Sequence, residues 1–233
     1  MIKTIARKEF IETLRDGRFR TALIITLSLL MVSLLLGWKG WSEVQAQRET
    51  AQKVTRAQWL NQGKKNPHGA AHYGVYAFRP TPLLSFVEPG IHPYTGVAVW
   101  LEAHKQNDFQ GRPARDATSV GRFGTLSASF VMQVLIPLLI VLLAFGTFAA
   151  ERESGTMRQV LSLGVSKTTW ALGKMLGLAL ALAVLLVPAT IIGVAVLTLS
   201  ADTLPLSQKL PRMLLMGVGY AFYFGAIIGL ALA

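Results

Sequence analysis

A short polar segment holds the chain's most concentrated set of groups that could take part in chemistry. It runs from Glu151 to Lys174 and contains acidic, basic and hydroxyl side chains. The 28 residues before it (123–150) and the 27 residues after it (175–201) contain no charged side chain. Runs of this length and composition are typical of membrane spans. The segment is therefore predicted to be a charged connection at one membrane face, where a soluble partner could bind.

Helix-capping signals subdivide this segment. Thr156 and Gln159 have the three-residue spacing of a capping box, which predicts a short helix beginning at Met157. Gly164 could end that helix in a left-handed conformation. Ser166 could then cap the next helix, which leads into the membrane. A solvated loop with anchoring charges remains the alternative from spacing alone.

The composition is that of a membrane protein. Of 233 residues, 52% are hydrophobic and 15% are charged, whereas a soluble domain is about 25% charged. Backbone polar groups inside a bilayer must be hydrogen-bonded within the protein, so helices are predicted rather than the shorter alternating strands of a barrel. The fold class is therefore an all-α polytopic membrane protein. Its four uncharged runs are 21–38, 123–150, 175–201 and 213–233.

The N-terminus is strongly basic. Apolar residues recur on one side at helical spacing from Ile2 to Phe10, which predicts a short amphipathic helix lying at the membrane interface. Short basic segments beside spans remain in the cytoplasm, so the N-terminus is predicted to be cytoplasmic. The six basic residues among the first 20 are Lys3, Arg7, Lys8, Arg15, Arg18 and Arg20.

Alternating orientation from that N-terminus divides the rest of the chain. The segment 149–171 is then cytoplasmic, and the long loop 39–122 is extracytoplasmic. The predicted division is a cytoplasmic amphipathic helix at 1–20, spans at 21–38, 123–148, 172–199 and 212–233, the loop domain at 39–122, the cytoplasmic segment at 149–171 and a short outer loop at 200–211.

The long loop has predicted features of its own. Residues 41–62 are polar, rich in helix formers and free of glycine and proline, so they are predicted to continue the first span as a helix. Asn66-Pro67 should break that helix. Residues 79–93 hold four prolines and predict an irregular apolar segment, while 95–101 could be a strand or a helical turn.

Histidines are the other candidates for chemistry. His68 and His72 are four residues apart, a spacing at which one helix can present two metal ligands. Pro67 and Gly69 argue against a stable helix there, so both histidines are predicted to be ordinary surface residues, with no metal site. The chain has no cysteine, which excludes disulfides, thiolate zinc sites and cysteine nucleophiles.

Several function classes are disfavoured. The net charge of +11 comes largely from basic residues beside spans, which hold helix ends at lipid headgroups, so no nucleic-acid partner is predicted. The apolar runs lack acids and bases, which argues against an ion-coupled carrier. The prolines in the spans are most often kinks, and glycines there permit close helix packing. The distinctive span residues are Gln133, Pro137, Pro188, Gly193, Gly217, Gly219, Gly225 and Gly229.

Two parts of the chain resemble ABC-2 type transporter permeases. The run Glu-Arg-Glu-Ser-Gly-Thr-Met at 151–157 is similar to the cytoplasmic segment after the second span of that family, as are the later pairs Leu161-Ser162, Ser166-Lys167 and Gly173-Lys174. The basic N-terminal helix resembles the family's interfacial elbow helix, and the residues that match are Arg7, Lys8, Phe10 and Arg15. The large outer loop resembles one subgroup of the family.

Two departures from the family pattern are visible. Gly164 stands where many relatives have proline, although both residues end helices. The family usually has six spans, whereas four are counted here, and no basic residues follow the fourth. The natural chain is therefore expected to continue beyond Ala233.

The resemblance implies a permease subunit of an ABC exporter. A separate cytoplasmic subunit would bind ATP and Mg, because this chain has no G-x-x-x-x-G-K-[ST] loop. The chain would then be no enzyme and need no cofactor. It would pair with a second permease, identical or different, and span the bacterial inner membrane several times among lipids. The alternative is a non-transporting membrane scaffold or assembly factor whose outer loop binds a partner.

The resemblance also implies a role for the polar segment. In the family, the segment after the second span is a coupling segment that passes the motion of the ATPase to the spans. The residues to which this role is carried over are Glu151, Glu153, Gly155, Thr156, Arg158, Ser166, Lys167 and Lys174.

Overall fold

The computed structural model describes residues 1–118, 126–199 and 205–232. The predicted start of the second span at residue 123, the first part of the predicted loop at 200–211 and the last residue of the predicted span at 212–233 lie outside the described residues. The helices are α1 (Ile2–Arg15), α2 (Gly17–Leu60), α3 (Pro67–Tyr73), α4 (Pro113–Asp116), α5 (Ala128–Glu153), α6 (Thr156–Ser162), α7 (Lys167–Leu199) and α8 (Leu206–Ala231).

Four of these helices, α2, α5, α7 and α8, are long and apolar enough to cross a membrane. The chain is therefore a multi-pass membrane protein, and the predicted helical polytopic fold is confirmed. A two-stranded antiparallel sheet is the exception, formed by β1 (Val75–Phe78) and β2 (Ala98–Leu101). Of the stretch 95–101, for which a strand or a helical turn was left open, residues 98–101 form a strand, in which Trp100 pairs with Tyr76 across the sheet.

The chain divides into two compact units. The first comprises residues 1–32 and 130–233, and the second comprises residues 33–129. In the first unit, α1 packs on α7, and α8 packs on both α5 and α7. Its core is apolar and built from the facing sides of these helices, including Ile136, Ile140, Leu178, Leu185, Phe224 and Ile228.

The joint between α1 and α2 lies at Asp16. This residue is extended, with φ −66° and ψ 121°, and its carboxylate accepts a hydrogen bond of 2.8 Å from the backbone N–H of Arg18. Asp16 therefore ends α1 and caps α2. Gly17 is the first residue of α2. The predicted helical continuation at 41–62 is confirmed as far as Leu60.

In the second unit, the proline-rich segment packs along α2. It forms short 3-10 turns at Leu83–Phe86 and His92–Tyr94, in keeping with the predicted irregular segment. Trp41 Nε1 donates a hydrogen bond of 3.2 Å to the carbonyl of Pro82, and the ring of Trp38 meets Phe86 edge-on at 5.6 Å. These contacts hold the irregular segment against the helix.

One local prediction in this unit is wrong. The preceding helix α2 has already ended at Leu60, and Asn66 and Pro67 begin α3 instead of breaking a helix. The side chain of Asn66 accepts a hydrogen bond of 2.6 Å from the backbone N–H of Gly69. Pro67 occupies the first turn, where a missing N–H costs nothing and the fixed φ favours a helix. His68 and His72 therefore lie on a helix after all.

Candidate functional site

The polar segment singled out by its composition contains α6, which begins differently from the prediction. Gly155 precedes the helix with φ +73°, a left-handed conformation that glycine adopts without strain. Thr156 is the first helical residue, and its side chain makes no capping bond within α6. The Thr156 hydroxyl instead points back to α5, 3.4 Å from the carbonyl of Glu151. The capping-box prediction is therefore wrong.

The other end of the segment follows the prediction. α6 ends at Ser162, and Gly164 has φ +82°, so the left-handed termination is confirmed. The Ser166 hydroxyl then accepts a hydrogen bond of 3.1 Å from the backbone N–H of Thr169, which caps the start of α7. Two short connections thus join α6 to α5 and α7.

Glu151, near the end of α5, is the meeting point of three helices. Its carboxylate lies 2.8 Å from Lys8 Nζ of α1 and 3.1 Å from Lys174 Nζ of α7. Trp170 Nε1, also on α7, donates to the same carboxylate at 3.1 Å. The side chain is only 12% exposed. Glu151 therefore faces the protein rather than solvent.

A second carboxylate completes this arrangement. Glu9 of α1 accepts a hydrogen bond of 2.9 Å from Lys174 Nζ and another of 2.6 Å from the Thr147 hydroxyl of α5. The side chains of Lys174 and Glu9 are 1% and 6% exposed. Lys8, Glu9, Glu151 and Lys174 form what we term the charge cluster. Two ammonium groups face two carboxylates, so the charges of the cluster are balanced, although Lys8 is half exposed and the other three are largely buried.

Aromatic rings shield one side of the charge cluster. Phe148 of α5 and Trp170 of α7 meet edge to face, with ring centroids 4.8 Å apart. Lys174 Nζ lies 5.2 Å from the centroid of the Trp170 ring, within the range of a cation–π contact. Exclusion of water strengthens the ion pairs, and it also raises the cost of removing one partner.

The electrostatics of Lys8 reflect its position at the edge of the cluster. Burial lowers the pKa of Lys8, but the hydrogen bond to Glu151 and the negative charges of Glu151 and Glu12 outweigh it. The pKa is therefore raised above its ordinary value of 10.5. The ammonium group stays charged at physiological pH and keeps α1 attached to the end of α5.

Two glycines on α7 allow α1 to approach closely enough for these bonds. A Cβ at Gly177 would lie 2.5 Å from Cβ of Glu9 and 2.9 Å from the carbonyl oxygen of Ala6. A Cβ at Gly173 would lie 2.6 Å from Cβ of Ile5. Sequence reasoning had assigned close packing to glycines further along the chain. The missed signal is the G-x-x-x-G spacing of Gly173 and Gly177.

The residues predicted for the coupling segment and elbow helix fall into two groups. The structure brings Lys8, Glu151 and Lys174 together in the charge cluster, with Thr156 next to it. Glu9 joins them, although it was not among the predicted site residues. Gly155 forms the left-handed turn, and Ser166 caps α7. The others lie outside the cluster: Arg7, Arg15, Glu153, Arg158 and Lys167 are exposed, and Phe10 is half-buried.

The outer side of α6 offers a surface for a partner. Arg158, Gln159, Ser162 and Leu163 are exposed, whereas Met157, Val160 and Leu161 are half-buried. Leu163 is 82% exposed, the highest value among the large apolar side chains of the described residues. A cavity of about 410 Å³ beside this helix is lined by Arg152 and Arg158 together with apolar side chains. The surface combines basic and apolar groups, as protein interfaces often do.

A polar contact also occurs within the apolar region. α5 contains a π-helical turn at Val131–Leu135, directly before Pro137. Proline has no N–H to donate to the carbonyl four residues earlier, which is that of Gln133. The Tyr223 hydroxyl of α8 donates to that carbonyl at 3.0 Å, and the Gln133 side chain donates to the Tyr220 hydroxyl at 3.2 Å. The break in α5 is thus tied to α8.

Comparison with known proteins identifies a family. No curated protein and no solved structure matches the chain significantly. The family model described as ABC-2 family transporter protein matches residues 3–233, which is nearly the whole chain. Together with the four apolar helices and the short helix between two of them, this match means that the chain belongs to the ABC-2 transporter family and is a permease component of an ABC transporter.

Proposed function

We propose that this permease component couples ATP hydrolysis by a separate subunit to the export of a substrate, and that α6 is where the two subunits meet. α6 lies between two apolar spans, with α5 ending at Glu153 and α7 beginning at Lys167. The connections from α6 to α5 and to α7 are too short to absorb a large displacement of α6. A displacement of α6 must therefore move the neighbouring ends of α5 and α7.

The contacts of Glu151 carry this proposal. One carboxylate holds the end of α5 to α1 through Lys8 and to α7 through Lys174 and Trp170. The three helix ends are therefore expected to move as one body when α6 is pushed. Without this link, a push on α6 would move the ends of α5 and α7 separately rather than together with α1.

The docking surface that we propose on α6 is the exposed set Arg158, Gln159, Ser162 and Leu163. Leu163 would fill an apolar depression on the ATPase subunit, and Arg158 would pair with an acidic side chain beside it. Arginine is among the residue types that contribute most to binding energy at interfaces, and burial of Leu163 would add apolar area.

The proposal includes an orientation and a setting. The N-terminus and α6 would be cytoplasmic in a bacterial inner membrane, with the basic face of α1 at lipid headgroups. A second permease, identical or different, would complete the pathway. A groove of about 520 Å³ between α7 and α8 is lined almost entirely by apolar side chains, which supports an apolar cargo.

Co-purification with the cognate ATPase tests the docking surface. We expect Arg158→Glu combined with Leu163→Glu to abolish retention of the ATPase while the permease still inserts at normal levels. Lys53→Glu, a charge reversal on an exposed residue of α2 in the second unit, is the matched control and should leave retention unchanged. Full retention and full ATPase stimulation in the double variant would place the contact elsewhere.

A further inference from the structure

Three of the four histidines of the chain converge in the second unit. One ring nitrogen from each of His68, His72 and His104 lies within 4.8 Å of the other two. His72 Nε2 is 3.2 Å from His68 Nε2, and the ring of His104 is 5.2 Å from that of His72 between centroids. All three side chains are exposed. They come from two separate elements, so their convergence is not a result of chain proximity alone.

α3 presents two of the three nitrogens. His68 and His72 are one helical turn apart and therefore share a face. The Asn66 cap and Pro67 in the first turn fix the start of this short helix. Gly74 ends it with φ +72°, and the ring of Trp100 lies against Gly74 where a Cβ would be. The helix is thus held at both ends, next to the sheet.

The third nitrogen comes from the turn that follows β2. Glu102 and Lys105 pair through an isolated antiparallel β-bridge that closes a four-residue turn, and His104 is the third residue of that turn. His104 has φ +61°, the only non-glycine residue with positive φ within the described ranges. The backbone N–H of Ala103 donates to the carbonyl of Ala71 at 3.1 Å. This bond joins the residues next to His104 and His72, and so brings the two imidazoles together.

We propose that His68, His72 and His104 form a binding site for one divalent transition-metal ion of the zinc type. Two imidazole nitrogens on a tetrahedral zinc ion, with bonds of about 2.0–2.1 Å, lie about 3.3 Å apart. The separation of 3.2 Å between His68 and His72 matches that spacing. Three histidines with the fourth position open to water are a known donor set for zinc.

The charges around the three histidines permit a cation. Lys105 is paired with Glu102 at 3.2 Å, and Lys65 lies over the ring of Tyr73 at 4.2 Å. A hydrogen bond between His68 and His72 alone would explain their short separation. It would not account for the third imidazole, that of His104, which the Glu102–Lys105 bridge and the bond from Ala103 to Ala71 bring to the same place. A bound ion would link α3 to the β2 turn and hold this part of the second unit in one arrangement.

Zinc titration of the full chain tests the site. The protein would be purified in detergent with a tag that contains no histidine, stripped with a chelator and titrated with Zn²⁺ by calorimetry. We expect one ion per chain and a rise in the thermal unfolding temperature. His72→Gln and His104→Gln should each weaken zinc binding at least tenfold. Loss of an outer-shell partner of a metal ligand weakens binding about 10–100-fold, and loss of a ligand itself should weaken it no less.

His92→Gln is the matched control. His92 is the fourth histidine, and its Nδ1 lies 2.6 Å from Arg79 rather than near the other three. Binding should be unchanged in this variant. The absence of stoichiometric binding, wild-type affinity in His104→Gln, or equal weakening in His92→Gln would each overturn the proposal. Because the three ligands are exposed, glutamine there should not unfold the protein, and the unfolding temperature without metal verifies this. The result does not depend on the coupling role of α6.

Discussion

The Nζ atom of Lys174 lies 2.9 Å from a carboxylate oxygen of Glu9, and both side chains are almost completely removed from solvent. The two residues are 165 positions apart in sequence. This pair fastens the N-terminal helix to the start of α7, and Glu151 extends the connection to α5. The charge cluster therefore joins the parts of the first unit that a push on α6 would have to move.

Removing only one charge of this pair should be strongly destabilising. Lys174→Met leaves two carboxylates buried without their shared partner, so we expect a loss of about 3–5 kcal/mol in the free energy of unfolding. Glu9→Leu with Lys174→Met should recover most of this loss, because Glu151 keeps Lys8 and Trp170. Thermal unfolding in detergent measures both variants. A double variant no more stable than Lys174→Met would show that the pair does not act as a unit.

A methyl group at Gly177 should separate α1 from α7. Its Cβ would lie 2.5 Å from Cβ of Glu9, so α1 must shift and the Lys174–Glu9 bond must lengthen. Gly217→Ala is the control, since nothing lies within 4 Å of a Cβ there, and alanine is favoured over glycine in a helix by about 1 kcal/mol. We expect Gly177→Ala to lower the unfolding temperature and Gly217→Ala to leave it unchanged or raise it.

Glu151 and Glu153 should differ in their effect on coupling. Glu151→Gln weakens the contacts to Lys8 and Lys174, so ATPase stimulation and transport should fall while the ATPase remains bound. Glu153 is exposed, and Glu153→Gln should affect coupling much less. The measurement is ATPase activity of the purified complex, beside the amount of ATPase retained. Equal effects of the two variants would contradict a special role for Glu151.

The proposed orientation can be tested with single cysteines, because the chain has none. Gln58→Cys and Ser162→Cys both place the thiol at an exposed position. A membrane-impermeant thiol reagent should label Gln58→Cys in intact spheroplasts and label Ser162→Cys only after permeabilisation. Labelling of Ser162→Cys in intact spheroplasts would reverse the orientation.

Acid should destabilise the second unit through His92. Burial and the nearby charge of Arg79 lower the pKa of His92 below its ordinary value of 6.5. The ordinary value applies to the unfolded chain, so at a pH between the folded and unfolded pKa values of His92 the unfolded chain binds more protons than the folded chain. The free energy of unfolding therefore falls as the pH drops below 6.5 towards the folded pKa. Thermal unfolding of metal-free protein at a series of pH values measures this. His92→Gln should show a weaker pH dependence.

The sequence predicts the parts of this fold that depend on local composition. The apolar runs identify the four long helices, Gly164 identifies the end of the short helix α6, and Ser166 identifies the start of α7. The direction in which Glu151 points was not predictable in the same way. It depends on Lys8, which lies 143 positions away, and spacing within the polar segment carries no information about such a contact.

Other differences between the predictions and the structure have equally specific causes. Thr156 has the spacing of a capping residue, but Gly155 takes the left-handed position and turns that hydroxyl towards α5. A proline interrupts a helix at an interior position but can begin a helix in the first turn. The Asn66 side chain caps α3 and so places Pro67 in its first turn. The position of His104 depends on the pairing of β1 with β2, which spacing alone does not specify.

The π-helical turn in α5 gives this span a way to change register. A π turn holds one residue more than the α-helical turn it replaces. If that extra residue passes along the helix, the part it crosses rotates by about 100° and advances by about 1.5 Å, with the backbone hydrogen bonds exchanged rather than lost. Tyr223 holds the carbonyl of Gln133 on the neighbouring helix. The Gln133 side chain also donates to Tyr220. A change of register in α5 would therefore require both hydrogen bonds to α8 to break.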